Sequence, residues 1–364
     1  MFKKLLLLGI LVCVTKNSYT QKYWGFGPFV TMQGLFKVFQ DGVVRQLEHL
    51  APLEVQVGDN LIGFISNNRD LKVYDGKKMT TLSLLVSSFK ISDNLVALQN
   101  GPILSAWSNG QGAWLTNFGR RYEISDSLLV YEDTQMNAVR VWYNNTIYDL
   151  YTVIGDIYLP KYIGDNLLAF EVIGGTHYIF HSGKLHQIDT YRQHVEFSCG
   201  RDIAAFNDPL TRTFAIYEKG EFFDLEEMHA LKFKAGISCV TYIDQNQNMW
   251  YYRGGNKTML SNYAPEYWDA TDHSVVWGEG QQFFVWDGIR KVVAAYYKPE
   301  RWIIKNGIVA FKNQLGGVDC VIDGIVVNVT NEQVLNFFVS GETIVLELVN
   351  KNFMAYSGGR KIRS

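Results

Sequence analysis

The 364-residue chain has little cysteine, little proline and almost no net charge. Its 4 Cys residues are too few for the dense disulfide framework of a small secreted scaffold. With only 7 Pro and 32 Gly, the chain is neither collagen-like nor low-complexity. A formal charge of −2 gives no electrostatic reason to expect binding to nucleic acid or to an anionic membrane.

Apolar and aromatic residues, by contrast, are abundant. Hydrophobic residues make up 47% of the chain, and Phe, Trp and Tyr together make up 14%. This composition can bury a large core, which excludes a disordered chain. Aromatic and β-branched side chains fit a pleated, half-buried surface, so the composition favours sheet. Length alone suggests two domains of about 150 residues each, but an internal repeat favours a single domain.

The first twenty residues have the pattern of a cleaved export signal. Two lysines precede an apolar run at residues 5–14, and small residues follow at Ser18 and Thr20. The run is too short to cross a bilayer, for which a helix needs about 20 apolar residues, and no later segment reaches that length. We therefore expect residues 1–20 to be removed and Gln21 to begin an exported protein.

Lipidation at Cys13 is the alternative processing route, although Leu11 and Val12 lack the small size expected before a lipidated Cys. Removal of the signal leaves 31 Lys or Arg against 36 Asp or Glu, a formal charge of −5. Three cysteines then remain at positions 199, 239 and 320. Buried free thiols are expected, with a bridge between Cys199 and Cys239 as the alternative, since export permits one.

One turn pattern recurs every 34 to 38 residues along the chain. In each copy an aromatic or apolar residue runs into a short polar turn, usually closed by Gly. Asp-Gly and Asn-Gly pairs are strong hairpin signals because a type I′ turn needs positive φ at both central residues. The ten copies are 39–42 (FQDG), 74–76 (YDG), 107–110 (WSNG), 142–145 (WYNN), 180–183 (FHSG), 217–220 (YEKG), 252–254 (YRG), 286–288 (WDG), 322–324 (IDG) and 356–358 (YSG).

A second turn pattern lies midway between the copies of the first. It is a polar turn, often Gly-Asp-Asn or Ser-Asp-Asn, followed by a short apolar strand. The clear copies are 58–64, 92–98 and 164–170, and the looser ones are 125–131, 200–206, 236–242, 271–277, 305–311 and 340–346.

Two turns in each unit predict four short strands. In the third unit we place them at residues 94–99, 103–108, 113–117 and 121–125. A four-stranded antiparallel meander repeated around an axis is a propeller blade. We therefore predict an all-β protein, a β-propeller of roughly nine or ten four-stranded units of about 35 residues, forming one domain over residues 21–364.

Two details of this propeller are predicted from the strand pattern. The apolar strand after the second turn is placed innermost, where neighbouring blades crowd. The last unit is one strand short after residues 360–364, so we expect an N-terminal strand from residues 21–27 to complete the final blade. An open β-solenoid is the alternative fold.

The sequence contains no complete catalytic motif. It lacks Gly-x-Ser-x-Gly, His-Glu-x-x-His, a phosphate loop and a dinucleotide fingerprint. Ser87 and Lys90 match Ser-x-x-Lys, but in a predicted outer strand two residues three apart point to opposite faces. Residues 244–248 (DQNQN) begin like a calcium loop, yet the twelfth position is Gly255 instead of a bidentate Glu. A polar hairpin loop is therefore expected there.

Three histidines form a candidate zinc site. Pairing His181 with Lys184 and Ile179 with His186 across a hairpin puts His177, His181 and His186 on one face. Three imidazoles on one face can hold zinc. However, His177 and His181 are about 13 Å apart at roughly 3.3 Å per residue of strand. We therefore expect surface histidines at a blade edge and no metal site.

The acidic residues Asp202, Asp208, Glu226 and Glu227 are candidates for glycan hydrolysis by composition only. Nothing in their spacing places two of them at the roughly 5–10 Å that this reaction needs, so solvated loop acids are expected. The aromatic residues near the turns are expected to wedge between blades, with a ligand-stacking surface as the alternative.

These observations predict a non-enzymatic protein-binding propeller with no catalytic, cofactor-binding or metal-binding residues. The repeat accounts for nearly the whole chain after residue 20 and leaves no inserted catalytic domain. We expect a monomer outside the cytoplasm that binds another protein through its rim or top face, without a cofactor. The alternative is a secreted propeller that binds or hydrolyses glycans.

The chain also resembles exported proteins of type 9 secreting bacteria. The resemblance lies in the signal ending Ser18-Tyr19-Thr20 before Gln21, the absence of a lipid-attachment Cys, and an aromatic-rich chain that reaches Ser364 without a secretion-sorting domain. Among these proteins it is similar to the plug subunits of the outer-membrane translocon. The resemblance implies a periplasmic protein, peripheral to the outer membrane, that docks on the translocon and acts by steric occlusion.

Overall fold

The computed structural model describes residues 25–152 and 158–364, which form ten small antiparallel sheets and contain no helix. Each sheet is built from strands that follow one another along the chain. We call these sheets blades 1 to 10 in chain order. The predicted export signal, residues 1–20, lies outside the described residues.

The strands of the first five blades are as follows. Blade 1 contains β1 (Gly27–Val30), β2 (Phe36–Gln40) and β3 (Val43–Glu48); blade 2 contains β4 (Glu54–Val57), β5 (Ile62–Ile65), β6 (Leu71–Tyr74) and β7 (Met79–Ser83); blade 3 contains β8 (Ser88–Ile91), β9 (Leu95–Asn100), β10 (Ile103–Ser108) and β11 (Gln111–Thr116); blade 4 contains β12 (Gly119–Ile124), β13 (Leu128–Asp133), β14 (Ala138–Tyr143) and β15 (Thr146–Thr152); blade 5 contains β16 (Tyr162–Ile163), β17 (Leu167–Glu171), β18 (Thr176–His181) and β19 (Lys184–Thr190).

The remaining five blades have four strands each. Blade 6 contains β20 (Phe197–Cys199), β21 (Ile203–Asn207), β22 (Phe214–Glu218) and β23 (Glu221–Glu226); blade 7 contains β24 (Lys232–Ala235), β25 (Cys239–Ile243), β26 (Met249–Arg253) and β27 (Asn256–Ser261); blade 8 contains β28 (Trp268–Thr271), β29 (Ser274–Glu279), β30 (Gln282–Trp286) and β31 (Lys291–Ala295); blade 9 contains β32 (Trp302–Lys305), β33 (Ile308–Lys312), β34 (Val318–Ile322) and β35 (Ile325–Thr330); blade 10 contains β36 (Val334–Ser340), β37 (Thr343–Leu348), β38 (Phe353–Ser357) and β39 (Arg360–Arg363).

The hydrophobic core is divided into ten clusters, and each cluster lies between two neighbouring blades. One of them joins the last blade to the first, where Val345 and Ala355 pack against Phe29 and Phe39. Burial between every pair of neighbours, including the last and the first, closes the chain into a ring. The predicted β-propeller is confirmed, and the number of blades is ten.

The predicted division into blades is wrong by one strand. In the third unit the first three predicted strands coincide with β9, β10 and β11, but the fourth overlaps β12, which opens the next blade. The apolar strand after the second turn is therefore the second strand of its blade. The innermost strand is the one before it, because the first strands of neighbouring blades approach each other closely.

The prediction that an N-terminal strand completes the last blade is wrong for the described residues. The four strands of blade 10 all come from residues 334–363, and β1 pairs only with β2. Blade 1 has the three strands β1 to β3 in the described part of the chain, and they are equivalent to the second, third and fourth strands of the other blades, because the 39–42 turn joins β2 to β3. Side chains join the two ends of the ring: the backbone N–H of Phe26 donates to Ser340 Oγ at 3.1 Å.

The predicted hairpin turns between third and fourth strands are confirmed. Asp41 and Gly42 have φ values of 52° and 78°, and Asn109 and Gly110 have 50° and 80°, as a type I′ turn requires. In blades 1 to 9 the pairing of third and fourth strands also contains a register shift. A bulge of this kind increases the local twist of the outer strand.

Aromatic residues next to these turns are buried between blades, as predicted. Phe39, Trp107, Phe180 and Tyr217 are each 5% exposed or less. Several tyrosines also bond to the preceding blade, about one repeat earlier in sequence. Examples are Tyr74 Oη, which donates to Gln40 Oε1 at 2.6 Å, and Tyr252 Oη, which donates to Glu218 Oε2 at 2.9 Å.

Candidate functional site

The turns between first and second strands meet near the propeller axis and bond to one another. The backbone N–H of Asp165 donates to Gly200 O at 3.2 Å, and that of Arg201 donates to Gly236 O at 3.0 Å. A Cβ atom on Gly200 would lie 2.0 Å from Gly236 O, so this close approach requires glycine. The recurring turn motif therefore joins one blade to the next.

Charged side chains from these turns form an axial cluster, which consists of Asp59, Asp93, Asp126, Asp165, Arg201, Asp272 and Lys305. Lys305 Nζ in blade 9 lies 2.7 Å from Asp59 Oδ1 in blade 2 and 3.1 Å from Asp93 Oδ1 in blade 3. These contacts reach across the axis between blades distant in the ring. Arg201 Nη2 in blade 6 lies 2.9 Å from Asp126 Oδ2 and 3.1 Å from Asp165 Oδ2.

Five carboxylates in the axial cluster face two cations, and this imbalance affects their protonation. Burial is the largest factor that raises the pKa of Asp93, and the neighbouring Asp126 raises it further while Lys305 opposes both. Burial and then Asp165 raise the pKa of Asp126 in the same way. For Lys305, burial lowers the pKa, but Asp59 and Asp93 outweigh it and the net pKa is raised.

The axial cluster is a structural joint. Its carboxylates accept hydrogen bonds from backbone N–H groups of other blades, as Asp59 Oδ1 does from Gly341 N at 2.8 Å and Asp93 Oδ1 does from Asp59 N at 2.8 Å. Within residues 25–152 and 158–364, no group of three or more His, Cys, Asp or Glu side chains has the arrangement to hold a metal ion. The cluster therefore links blades that are distant in the ring at the level of these turns.

The first strands form the wall around the axis, and their charges are paired between neighbouring blades. Lys90 Nζ in blade 3 lies 2.7 Å from Glu123 Oε2 in blade 4, and Lys234 in blade 7 pairs with Asp269 in blade 8. A cavity of about 830 Å³ lies against the first strands of blades 6 to 8 and the connections before them. Its wall combines charged side chains such as Glu196 and Lys234 with aromatic rings such as Phe233 and Trp268.

The two faces of the ring differ in their connections. Because the strands alternate in direction, the first–second and third–fourth turns lie on one face, which we call the turn face. The second–third turns and the connections between blades lie on the other, the loop face. No helix in the described part of the chain is long and apolar enough to span a membrane.

Exposed apolar side chains are concentrated on the loop face. Among the described residues that connect strands, those on the turn face include one large exposed apolar side chain, Ile289 at 75%. The connections on the loop face carry sixteen: Met32, Leu50, Leu53, Leu84, Leu85, Phe118, Met136, Tyr158, Ile173, Leu210, Met228, Leu231, Tyr263, Tyr296, Leu315 and Val349. Clustered exposed apolar surface marks a site of interaction.

The two residues of the Ser-x-x-Lys match contact different groups. Ser87 Oγ accepts a hydrogen bond from Gly101 N at 3.0 Å, and Lys90 Nζ donates to Tyr122 O at 3.1 Å in addition to pairing with Glu123. The predicted outer strand is in fact β8, an innermost strand. The sequence prediction misplaced this strand because its blade boundaries were displaced by one strand.

The structure does not bring the four acidic candidates together. Asp202 lies on the turn face beside His181, whereas Asp208 lies on the loop face and accepts from Leu210 N at 2.8 Å. Glu226 pairs with Lys257 and accepts from Tyr242 Oη. Glu226 and Glu227 line a cavity of about 520 Å³, together with Asp224 and Asp244.

The predicted histidine hairpin is confirmed in register, but the expected surface exposure is wrong. His181 pairs with Lys184 and Ile179 pairs with His186. His177 and His181 are 1% and 7% exposed, because blade 6 covers this face of blade 5. His181 Nδ1 lies 3.0 Å from Tyr217 Oη, and its Nε2 lies 3.1 Å from Asp202 Oδ1. These are contacts of a buried, hydrogen-bonded imidazole.

Cys199, Cys239 and Cys320 are free thiols, so the alternative of a bridge between Cys199 and Cys239 is wrong. Burial raises the pKa of both Cys199 and Cys320 to about 12 and that of Cys239 to about 11. These thiols are therefore protonated and unreactive at neutral pH.

The loop at residues 244–248 is a polar hairpin loop, as predicted. Asp244 Oδ1 accepts from the backbone N–H of Asn248 at 2.8 Å, and Oδ2 accepts from Trp250 Nε1 at 2.8 Å. Burial tends to raise the pKa of Asp244, but these hydrogen bonds outweigh it, and the net pKa is lowered. The carboxylate is thus used to hold its own loop.

The fold and the site together define a closed ten-bladed propeller with a joined axis and one apolar face. Residues 21–362 match the family described as the 10-bladed beta propeller domain, and the chain belongs to that family. No curated protein matches the chain.

Three solved structures that resemble the chain share low sequence identity with it. The computationally designed Ika8 protein is 14% identical with a TM-score of 0.33, over 83% of this chain and 92% of that one. The CRINKLY WD40 ectodomain of the Arabidopsis thaliana receptor kinase ACR4 is 8% identical with a TM-score of 0.30, over 70% and 87%. Kluyveromyces lactis Hsv2 is 12% identical with a TM-score of 0.28, over 72% and 90%.

The sequence predictions did not include the axial cluster or the apolar loop face. One signal for the cluster is visible, because an Asp recurs in the second turn pattern at positions such as 59, 93 and 165. The two cations give no such signal, since Lys305 and Arg201 are single residues without counterparts in every repeat. The apolar loop residues follow no fixed spacing, and assigning them to one face requires the correct division into blades.

Proposed function

We propose that this propeller is a non-enzymatic docking protein of the periplasm whose loop face binds an outer-membrane secretion translocon and occludes it. The apolar loop face carries the proposal, because large exposed apolar residues on one face of a ring are the expected surface for another protein. The export pattern of residues 1–20 and the resemblance to translocon plug subunits support the location and the partner.

The axial cluster supports occlusion as the mode of action. Ion pairs from Lys305 to Asp59 and Asp93 join blade 9 to blades 2 and 3, so charged side chains narrow the centre of the ring at the level of the turns. A ring with a narrowed centre can block a pore that it covers, whereas a ring with an open bore would leave a passage.

Charged substitutions on the two faces test the docking surface. Leu84, Leu85 and Tyr296 on the loop face are 73%, 61% and 71% exposed, and Ile289 on the turn face is 75% exposed. We expect the double variant Leu84→Asp/Leu85→Asp, or Tyr296→Asp, to lose an outer-membrane partner in affinity capture from native envelopes. The matched variant Ile289→Asp is expected to retain it.

A permeability assay tests occlusion directly. Deletion of the protein, or replacement by the Leu84→Asp/Leu85→Asp variant, is expected to make the outer membrane leaky to small solutes, and Ile289→Asp is expected to restore the barrier. Recovery of the wild-type chain without any outer-membrane protein would overturn the proposal. Equal loss of partner in the variants of both faces would show that the loop face is not the docking surface.

A glycan-active propeller is the second candidate function. It is favoured by one observation, the cavity of about 520 Å³ lined by Asp224, Glu226, Glu227 and Asp244. Binding of the purified protein to a glycan array, with loss of binding in Glu227→Gln, would support this candidate. Absence of glycan binding at high protein concentration would remove it.

A further inference from the structure

A small aromatic cavity lies beside blade 5 on the side of the loop face, between residues 158–161 of the connection from blade 4 and the connection to blade 6. Its volume is about 220 Å³, and its walls include the rings of Tyr162, Phe170 and Phe197 with His177 and Glu171. This is below the roughly 300–1,000 Å³ of a site for a drug-sized ligand. The cavity therefore has room for about one ring system.

His177 contributes a buried acceptor without a partner. Its Nδ1 lies 2.8 Å from Gly175 O, and because a carbonyl oxygen only accepts, Nδ1 carries the proton. In the neutral ring Nε2 then holds a lone pair. His177 is 1% exposed, and Nε2 has almost no accessible surface and no hydrogen-bond partner among the described residues. An ion pair with Glu171 Oε2, 3.7 Å away, would require a second proton on the ring. An unpaired buried acceptor of this kind is costly, at about 1–3 kcal/mol.

The groups around Nε2 do not supply a donor. Glu171 Oε2 lies 3.7 Å from His177 Nε2, beyond hydrogen-bond distance, and an ionised carboxylate only accepts. The Glu171 side chain is 41% exposed, so it can move aside, and this movement opens His177 Nε2 to the cavity. His194 is already bonded through Nε2 to Tyr162 Oη at 2.9 Å. A donor for His177 Nε2 must therefore come from outside these groups.

We infer that this cavity receives an aromatic side chain of the docking partner, a Trp or a Tyr, whose N–H or O–H donates to His177 Nε2. This inference rests on the proposed function and names the anchor by which the partner is held. Trp and Tyr combine a large apolar body with one polar tip, and they are the residues most often used as anchors at protein interfaces.

A cationic side chain fits the cavity less well. Lys161 at the rim already places its ammonium 5.2 Å from the centre of the Tyr162 ring. A second cation would be attracted by Glu171 but repelled by Lys161, and it would lose hydration against the aromatic walls, which is costly. An aromatic ring with one donor satisfies both the walls and the lone acceptor.

Indole and 1-methylindole test this chemistry on the full-length purified protein, because a methyl group replaces the N–H donor in the second ligand. We expect indole to bind about ten-fold more tightly by calorimetry or ligand-observed NMR, the ratio expected for one hydrogen bond to a buried acceptor. The variant His177→Leu should abolish this preference. His49→Leu, which removes an exposed histidine of blade 1, should keep it.

The wild-type comparison of the two ligands remains decisive if His177→Leu fails to fold. Equal affinity for indole and 1-methylindole would overturn the inference, as would an NMR spectrum showing His177 protonated on both nitrogens at neutral pH. Excess indole should also weaken the complex with the outer-membrane partner. A complex that forms and ignores indole overturns this inference alone, whereas failure of any complex to form overturns the proposed function.

Discussion

Removal of the Lys305 ammonium tests whether the axial cluster holds the ring together. In Lys305→Met the aliphatic stem remains, but the side chains of Asp59 and Asp93, 4% and 20% exposed, lose a cation at 2.7 and 3.1 Å. Stranding a fully buried charge costs about 3–5 kcal/mol. The Lys305 side chain is 30% exposed, so water offsets part of this cost, and we expect about 2–3 kcal/mol.

Urea unfolding followed by tryptophan fluorescence measures this loss. With a slope of about 3 kcal/mol/M, the midpoint at pH 7.5 should fall by roughly 0.7–1 M. Lys312→Met is the matched control, because Glu300, its partner at 2.8 Å, is 78% exposed. An exposed pair contributes little, so the control midpoint should not move measurably.

The deficit of Lys305→Met should also depend on pH in a definite direction. Burial, followed by Asp126, raises the pKa of Asp93, so its folded state binds protons more readily than its unfolded state. For such a group the stabilising contribution is present below the ordinary Asp pKa and is lost as the pH rises through the raised pKa. Protonation at acidic pH also removes the need for the Lys305 cation. The deficit should therefore be largest at neutral pH and should shrink towards pH 4.

Two results would refute this reasoning. A folded Lys305→Met protein with an unchanged midpoint at pH 7.5 would show that the ion pairs across the axis do not stabilise the ring. A deficit that stays constant from pH 7.5 to pH 4 would show that the loss comes from packing of the side chain instead of its charge.

Two further predictions concern contacts between blades. Tyr74→Phe removes the hydroxyl that lies 2.6 Å from Gln40 Oε1 and 2.9 Å from Gly76 O, and it should destabilise the protein by about 1–2 kcal/mol in urea. Tyr296→Phe, at a position that is 71% exposed, should leave the stability unchanged. Equal midpoints for the two variants would contradict this prediction. Cys199, Cys239 and Cys320 should resist iodoacetamide at pH 7.5 and react fully in denaturant, because burial raises their thiol pKa values. Intact mass spectra of native and denatured samples count the modified thiols, and rapid labelling of the native protein would count against their burial.

The repeat of turns was sufficient to predict the propeller, but it did not locate the blade boundaries. A meander of four similar strands carries no mark that shows which strand faces the axis, so residues 121–125 were assigned to the wrong blade. Local pairing predicted that His177, His181 and His186 share one face. Tyr217 and Phe197 of the next blade cover that face. Strand pairing within one hairpin does not predict this packing between blades.

The axial cluster shows a second limit of prediction from sequence. The recurring Asp of the second turn pattern is visible in the sequence, and its burial follows from its position near the axis. The contact between Lys305 and Asp59 joins residues 246 positions apart and exists only once the ring has closed. Pairs of this kind depend on the number of blades, which the turn pattern left at nine or ten.

The junction between blades 10 and 1 has a mechanical consequence. Within the described residues, neighbouring blades exchange no strand there, and the ring is joined by Phe29, Phe39, Val345 and Ala355 with the bond from Phe26 N to Ser340 Oγ. Force that pulls blades 10 and 1 apart would load this junction directly. The ring should therefore open between blades 10 and 1 under such tension, while the strand pairing within each blade is kept.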